Sequence, residues 1–255
     1  MCKLDINCDM GESFGRYRIG NDEEVIKYIT SANIACGFHA GDPNIMRKTV
    51  QLALKHGVAI GAHPGFDDLR GFGRREINVS AADVYNLVIY QIGAIQAFVT
   101  AEGGTLEHVK PHGALYNIAA RRKDIAEAIA EAVYAVNPEL ILFGLANSES
   151  IAAAKRIGLR VAREVFADRT YEKDGTLTPR ERPNALITDP EKAIAQVLSI
   201  VKRRYVVSTC GNQVPLTADT VCIHGDGSDA LTFAEKLQDV LRREGVTVTR
   251  ARDIV

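Results

Sequence analysis

Short apolar runs alternate with longer amphipathic stretches along this chain, and no other feature of the sequence restricts its fold as strongly. Seven apolar runs have the length and composition of strands, and they span 4–8, 32–36, 58–62, 107–110, 140–145, 160–166 and 221–224. Helix-like stretches follow at 22–29, 44–56, 81–102, 123–136, 148–157, 190–203 and 230–244. Such alternation predicts a parallel sheet, and seven repeats favour a closed, irregular (β/α) barrel over a doubly wound open sheet.

The length and the remaining segments fit a barrel that occupies the whole chain. The 255 residues match the roughly 250 that such a barrel commonly needs, so we predict one domain over 1–255. Segment 205–215 reads as an inserted hairpin, and 247–249 as an eighth strand or an edge strand. Segment 166–189 contains Gly175, Pro179 and Pro183 and is predicted to be a loop excursion that could serve as a lid.

Charge and cysteine content exclude several classes of function. Lys and Arg number 31 against 32 Asp and Glu, for a net charge of −1, so the chain lacks the basic excess of a nucleic-acid binder. We find neither a secretory signal nor an apolar run of membrane-spanning length, which predicts a cytoplasmic protein. The five scattered cysteines read as reduced core thiols, with a catalytic thiol at Cys8 or Cys36 as the alternative.

Four of the six histidines come directly after different predicted strands. His39, His63, His112 and His224 each have a glycine or proline within two residues. Because the strands of a parallel barrel all end on one face, these side chains are expected to meet there. One such histidine would mean little, but four in register with that face predict an active site. His56 and His108, at a helix end and inside a strand, are predicted to be structural.

Two chemistries fit these residues, and the sequence leaves both open. Two histidines and Asp9 could bind a divalent metal that polarises a carbonyl and lowers the pKa of a bound water. Alternatively, histidine and aspartate act as acid and base without metal. Arginines after strands three and six, Arg75 and Arg169, are candidates for gripping a carboxylate or phosphate. A solvated surface arginine is the alternative for Arg75.

Nucleotide-binding motifs are weak or absent. The chain contains no Gly-Lys pair, which excludes a standard P-loop. Residues 225–230 match a loose GxGxxA pattern between a strand and a helix, but Asp226 and Asp229 would repel a pyrophosphate. We therefore interpret this loop as part of a catalytic rim.

Six motifs, in order along essentially the whole chain, resemble the LamB/YcsF family, the family of bacterial 5-oxoprolinase A subunits. They are DINCDMGESFG from Asp5, ANIACGFHAGDP from Ala32, GAHPGF from Gly61, VKPHGALY from Val109, FADRTY from Phe166 and IHGD from Ile223. The glycine-rich turn 227–229 departs from the expected pattern. The resemblance implies a distorted seven-stranded barrel related to the glycoside hydrolase and deacetylase barrels. It also implies ATP-dependent opening of the lactam 5-oxoproline (pyroglutamate) to L-glutamate together with partner subunits B and C.

On this resemblance we assign roles as a hypothesis. Asp9, His39 and His63 form a polar or metal-binding centre, and Asp9 also belongs to the catalytic set. His112 and His224 transfer protons, and Asp226 orients His224. Developing negative charge is stabilised by Lys110 or Arg169, and Arg75 holds the substrate carboxylate. Glu12 and Asp42, after strands one and two, complete the predicted substrate-binding set.

Two rival functions remain open at this stage. One is a stand-alone, metal-dependent amidase or deacetylase that acts on an acylated sugar. The other is a non-catalytic subunit that only scaffolds a complex, although a scaffold has no need of polar residues at six strand ends. The sequence leaves open whether a metal binds, which subunit binds ATP and whether the chain forms homo-oligomers.

Overall fold

A computed structural model describes residues 2–223 and 230–255 of the chain. The strands in this part are β1 (Cys2–Met10), β2 (Ser31–Ala35), β3 (Ala59–His63), β4 (Leu106–Val109), β5 (Ile141–Leu145), β6 (Arg160–Phe166), β7 (Tyr205–Val207), β8 (Gln213–Pro215), β9 (Thr220–Ile223) and β10 (Val246–Val248). The helices are α1 (Asp22–Val25), α2 (Pro43–His56), α3 (Ala81–Ala101), α4 (Gly113–Ala119), α5 (Lys123–Val136), α6 (Glu149–Arg156), α7 (Pro190–Leu198) and α8 (Ala230–Arg243).

The predicted seven-stranded parallel barrel is confirmed. The strands β1 to β6 pair in chain order, and β9 closes the ring by pairing with both β6 and β1. The short strand β10 pairs with the start of β1, at Cys2 to Leu4, whereas β9 pairs with β1 from Asp5 onward. The segment at 247–249 is therefore an edge strand outside the closed ring.

Polar side chains from β1 line part of the barrel interior, and the alternation of β1 shows why. Leu4 and Ile6 pack into the hydrophobic core between the barrel and its helices. The alternate residues of β1 therefore point to the barrel axis. The inward side chains are Asp5, Asn7 and Asp9, which accept hydrogen bonds from polar groups of β2. A polar interior needs every donor and acceptor matched, which fixes side-chain positions more tightly than apolar packing does.

Several local predictions need adjustment. The stretch 190–203 forms α7 and then a π-helical turn at Ser199–Arg203, and 22–29 forms α1 followed by a 3₁₀ turn at Ile26–Tyr28. The helix α4 was not predicted, because it is short and starts at a glycine directly behind a strand-end motif. The predicted hairpin is confirmed as the antiparallel pair β7–β8.

The segment between β6 and α7 is an ordered excursion. Two antiparallel bridges, Arg169 to Leu186 and Tyr171 to Leu177, fold it back on itself. From α7, Gln196 donates hydrogen bonds through Nε2 to the carbonyls of Phe166 and Arg169 at 3.0 and 2.9 Å. These contacts hold the excursion beside the end of β6, where it forms part of a cavity wall.

One described helix, α3, is long and apolar enough by length and composition to cross a membrane. A third of its most apolar window is buried. In this fold α3 is an outer helix of the barrel that packs against α5, α2 and β3.

Candidate active site

The carboxyl ends of the barrel strands open into a cavity of about 1090 Å³. One wall consists of side chains from the ends of β1, β3 and β4 and from the segments that follow them, among them Asp9, Glu12, His63, Lys110 and His112. The opposite wall is formed by the excursion after β6. The strand ends thus meet on one face, as the position of the motifs predicted.

Three histidines from three different strand ends form one cluster. The rings of His39 and His112 stack with their centroids 3.7 Å apart and their planes 2° from parallel. The Nε2 of His63 lies 2.9 Å from the Nδ1 of His112. Glu12 faces the cluster with Oε1 at 3.2 Å from the Nε2 of His39 and 3.6 Å from the Nδ1 of His112. All three histidines are almost fully buried, so each nitrogen must find its partner within the protein or a ligand.

The two close histidine nitrogens cannot both be bare. Nδ1 of His63 lies 2.6 Å from the carbonyl of Lys110, and Nε2 of His112 lies 2.8 Å from the carbonyl of Phe72. Since a carbonyl only accepts, each ring donates its N–H there, and each neutral ring then presents a lone pair at its other nitrogen. Those two nitrogens are the pair at 2.9 Å. A proton or a cation must therefore lie between them.

Burial keeps two of the rings uncharged. It lowers the pKa of His39 well below the usual value, and the charge of His63 lowers it further. Burial also lowers the pKa of His112, with His39 and His63 contributing. Neutral imidazole is the form that accepts a proton or ligates a metal.

A charged network lies directly beneath the histidines. The ammonium of Lys110 lies 2.8 Å from an oxygen of Asp9 and 2.9 Å from an oxygen of Glu164, and its side chain is buried. Burial alone would raise the pKa of Asp9, but the charges of His63 and Lys110 outweigh it and hold this pKa well below the usual range. Burial alone would lower the pKa of Lys110, but Asp9 and Glu164 raise it. Asp9 is thus ionised and Lys110 charged.

Glu164 is the main site residue that the sequence analysis missed. It is fully buried and projects from the middle of β6 toward Lys110. In the run VAREVF, Arg163 is partly exposed but Glu164 is buried, and a buried carboxylate is costly unless a cation pairs with it. That exception in the strand pattern is the signal that could have revealed it.

Other predicted residues have structural partners that limit their roles. The guanidinium of Arg75 lies on the cavity rim but is engaged by Asp68, with Nε to Oδ2 at 3.0 Å and a second, shorter bond. It is therefore poorly placed to grip a substrate carboxylate as well. Asp42 caps α2 by accepting from the backbone N–H groups of Asn44 and Ile45, which explains it without a ligand.

The remaining predictions divide between described and undescribed parts of the chain. Arg169 and Glu12 line the cavity as expected. The predicted residues His224 and Asp226 lie outside the described residues. His108 bonds to Asn33 inside the barrel and stacks on Phe143, and His56 is exposed on α2, so neither reaches the cluster.

The cysteine alternatives are weak in this geometry. All five cysteines are free thiols, and Cys8 and Cys36 are buried. Burial raises the pKa of Cys8 well above its usual value and that of Cys36 to about 12. Since the thiolate is the nucleophile, neither residue has the environment of a catalytic thiol.

The donor set fits a metal but differs from the predicted one. One ligand atom each from Glu12, His39, His63 and His112 lie within 4.8 Å of one another. The predicted metal ligands were Asp9, His39 and His63, so the two sets share His39 and His63. The Oδ2 of Asp9 lies 3.3 Å from Nε2 of His63, but Lys110 and Asn33 occupy its other oxygen.

Comparison with known proteins accounts for this combination of motifs and barrel. A model of the LamB/YcsF family matches residues 4–255. The chain belongs to the LamB/YcsF family. The A subunit of 5-oxoprolinase from Brevibacillus brevis is 60% identical to this LamB/YcsF chain over 248 residues, which are 97% of this chain and 98% of that protein.

Solved structures agree with the fold. The crystal structure of a lactam utilization protein from Thermus thermophilus has a TM-score of 0.91 at 47% identity, covering 97% of this chain and 99% of that one. A deacetylase solved with its substrate has a TM-score of 0.50 at 13% identity, covering 98% and 89%. That second likeness concerns the fold alone, and it shows that this barrel resembles a deacetylase barrel in architecture.

Proposed function

We propose that this chain is the A component of an ATP-dependent 5-oxoprolinase, which opens the lactam of 5-oxoproline to L-glutamate together with partner subunits B and C. The names of the relatives support this assignment. The observation that carries it is one cavity in which a pair of histidines holding a proton or a cation lies beside the ionised Asp9.

The reaction defines what these residues must do. 5-Oxoproline, ATP and two waters give glutamate, ADP and phosphate: one water enters the lactam carbonyl carbon as the C–N bond breaks, and the other accounts for ATP hydrolysis. A base must take a proton from the entering water, and the departing nitrogen must gain one. When a proton rather than a cation lies between His63 and His112, the pair can pass that proton to the departing nitrogen and regain one from the entering water.

The charged residues have positioning roles in this proposal. The ammonium of Lys110 is already bonded to Asp9, Glu164 and Asn7, so it acts by fixing Asp9 rather than by binding the substrate. Asp9 in turn orients His63. His224 and Asp226 stay predicted catalytic residues, and Arg169 stays a predicted anion-binding residue.

We further propose that Glu12, His63 and His112 bind a divalent cation, with His39 supporting Glu12. The fit rests on the two facing lone pairs and on Glu12 Oε1 within 3.6 Å of one of them. Such a cation would polarise a carbonyl and lower the pKa of a bound water.

Metal analysis of the purified chain tests this cation site. We expect about one equivalent of a divalent metal after dialysis against it, and loss of that metal in His63→Gln and His112→Gln but not in His56→Gln. A chain that takes up no metal, with His63 observed as an imidazolium by NMR, would favour the metal-free acid–base alternative.

The need for ATP and for the partner subunits is part of the proposed function. The sequence lacks a P-loop, so we propose that nucleotide handling rests at least partly on the B and C subunits. A cytoplasmic location and a single domain over 1–255 stay predictions.

Reconstitution tests the assignment directly. This chain is mixed with its B and C partners, and glutamate formed from 5-oxoproline is measured with and without ATP. Product should require ATP and this chain, and His112→Gln should lower turnover by about 10²-fold or more, while His56→Gln on the exposed end of α2 leaves it unchanged. Full product without this chain would refute the proposal. Hydrolysis of an acylated sugar without ATP or partners would favour the deacetylase alternative.

A further inference from the structure

The cavity is larger than a single lactam needs. At about 1090 Å³ it lies just above the range of about 300–1,000 Å³ typical of small-molecule pockets. 5-Oxoproline is one five-membered ring with a carboxylate. The histidine cluster occupies one wall, and the wall opposite is formed by the excursion after β6, which contributes Arg169, Thr178 and Arg180. A lactam bound at the histidine wall would leave space beside this second wall.

Arg169 is an unusual residue in that wall. Only 4% of it is exposed, and its Nη2 donates to the carbonyl of Thr178 at 2.6 Å. Its Nε is buried without a hydrogen-bond partner, and no carboxylate in the described chain forms an ion pair with it. The hydroxyl of the fully buried Thr178 also has no hydrogen-bond partner among the described residues. A buried guanidinium is destabilising unless an anion compensates it.

Two further arginines act on the charge of Arg169. Burial lowers the pKa of Arg169 to about 10, and the positive charges of Arg180 and Arg74 contribute, while Asp168 acts in the opposite direction. The charge of Arg74 also lowers the pKa of His39, so Arg74 acts on both the histidine cluster and Arg169. Three arginines, Arg74, Arg169 and Arg180, therefore line the same cavity as the histidine cluster.

Other arginines of the cavity differ in this respect. Arg121 pairs with Glu76 at 3.2 Å and Arg182 with Glu172 at 3.1 Å, and both are largely exposed. Their charges are compensated by these carboxylates. Arg169 combines burial with an unused donor, which distinguishes a binding residue from a solvated rim residue.

We propose that Arg169 and Thr178, with Arg74 and Arg180 beside them, form a subsite for a phosphoryl group. A phosphoryl group carries up to two negative charges and three acceptor oxygens, so it can engage a guanidinium fork and a hydroxyl together. The identity of the phosphoryl compound rests on the proposed function: an ATP-dependent lactam opening would bring either a phosphorylated form of the lactam or the phosphate it releases.

Binding of inorganic phosphate to the full chain, followed by calorimetry or ³¹P NMR, tests the subsite without turnover. Chelator is present so that no divalent cation supplies the phosphate contact. We expect Arg169→Gln to weaken phosphate binding at least tenfold, Thr178→Val to weaken it several-fold, and Arg169→Lys, which keeps the charge without the fork, to fall between. Arg182→Gln is the matched control, since it removes one positive charge from the same cavity, and it should change binding less than twofold.

Three outcomes would overturn the proposal. Equal losses in Arg169→Gln and Arg182→Gln would indicate general charge attraction. A loss of 5-oxoproline binding in Arg169→Gln with phosphate binding intact would make Arg169 the grip for the substrate carboxylate instead. Undetectable phosphate binding to the folded wild-type chain would exclude the subsite. If Arg169→Gln does not fold, Arg169→Lys and Thr178→Val still decide.

Failure of this inference is separable from failure of the proposed function. Phosphate binding is measured on the chain alone, whereas the reaction is measured as glutamate formed by the complex. Arg169-dependent phosphate binding together with an inactive complex would leave the subsite standing and refute the reaction.

Discussion

Asp5 is fully buried at the start of the barrel, far along β1 from the cavity. Hydroxyl groups of Thr30, Ser31 and Thr220 donate hydrogen bonds to its carboxylate. Burial raises the pKa of Asp5 from 3.8 to about 6 despite these bonds, and Glu164 adds to the rise. The residue is therefore protonated in the folded state over a range in which the unfolded chain has already released the proton.

This pKa makes the stability of the protein depend on pH in a definite direction. Between about pH 4 and pH 6 the unfolded state binds fewer protons, so the free energy of unfolding falls as pH rises. The rise from 3.8 to about 6 corresponds to about 3 kcal/mol. Asp5→Asn has no carboxyl group to titrate and so lacks this loss. The free energy of unfolding of Asp5→Asn minus that of wild type should therefore rise by about 3 kcal/mol from pH 3.5 to pH 7, as measured by denaturant unfolding.

A matched substitution separates this effect from lost hydrogen bonds. Losing an acceptor in Asp5→Asn shifts the whole curve but does not change with pH. Asp67→Asn removes an exposed carboxylate and should give a curve parallel to wild type. A curve for Asp5→Asn that is also parallel to wild type would contradict the raised pKa.

Gly73 controls how closely the loop after β3 approaches the histidines. It has a φ of +61°, and a Cβ there would lie 2.7 Å from Cβ of His39 and 2.9 Å from Cδ2 of His112. Gly73→Ala must displace one of these rings. Because small misplacements of reacting groups are expensive, turnover of the reconstituted enzyme should fall about 10- to 100-fold.

Gly57→Ala provides the control for backbone strain. Gly57 has a similar φ of +65°, but a Cβ there would meet only Arg250, at 3.8 Å. This variant should lose about 1 kcal/mol of stability and keep its turnover. Equal turnover losses in the two variants would show that strain, not the position of the rings, is responsible.

At the residue scale, the sequence predicted which residues meet at the strand ends, but it did not predict their ion-pair partners. Asp9, His63 and His112 could be placed together because parallel strands end on one face. The engagement of Arg75 by Asp68 could not be foreseen, since it depends on how a seven-residue turn folds back. The role of Glu164 was not predicted, because a strand pattern indicates which residues are buried but not which cation pairs with a buried carboxylate.

At the scale of elements, the excursion after β6 depends on one side chain from α7. The amide of Gln196 donates to the backbone carbonyls of Phe166, Ala167 and Arg169. Gln196→Leu removes these donors and leaves the carbonyls unsatisfied, at a cost of about 1–3 kcal/mol. We expect the backbone amides of Thr170 and Ile187, which bond within the excursion, to exchange with solvent tenfold faster or more.

Hydrogen exchange read by mass spectrometry or NMR makes this measurement. Gln51→Leu is the control, because Gln51 is an exposed residue whose amide bonds to Glu102 on the surface. In Gln51→Leu, hydrogen exchange in the excursion should equal that of wild type. If Gln196→Leu leaves exchange unchanged, the bridges within the excursion suffice to hold it.

The boundaries of elements were predictable where capping and periodicity agree. The helix α5 and the strand β6 have the predicted bounds, and α2 begins one residue earlier than predicted because Asp42 caps it with Pro43 at its first position. The π-helical turn after α7 was not predictable, since Ser199–Arg203 keeps a helical composition. The choice between α and π hydrogen bonding is made by packing rather than by propensity.

At the scale of the whole molecule, Lys110 connects three barrel strands through the interior. It projects from the end of β4 to Asp9 on β1 and Glu164 on β6, which are not neighbours of β4 in the sheet. The ion network therefore crosses the barrel. Its energetic role differs from that of surface pairs, because each charge has lost its water and depends on the others.

A double-mutant cycle measures this dependence. Lys110→Met leaves both carboxylates without their cation and should cost about 3–5 kcal/mol of unfolding free energy. Glu164→Gln leaves Lys110 paired with Asp9 and should cost less, about 1–3 kcal/mol.

The double variant should be more stable than the sum of the two single losses predicts, with a coupling of about 1–3 kcal/mol. The reason is that Glu164 destabilises the barrel only when its cation is missing. The exposed pair Arg121 and Glu76 serves as the control, with a coupling close to zero. Additive losses in the buried cycle would mean that Glu164 stabilises the barrel independently of Lys110, and the assignment of Glu164 as the residue that holds the ammonium under Asp9 would then fail.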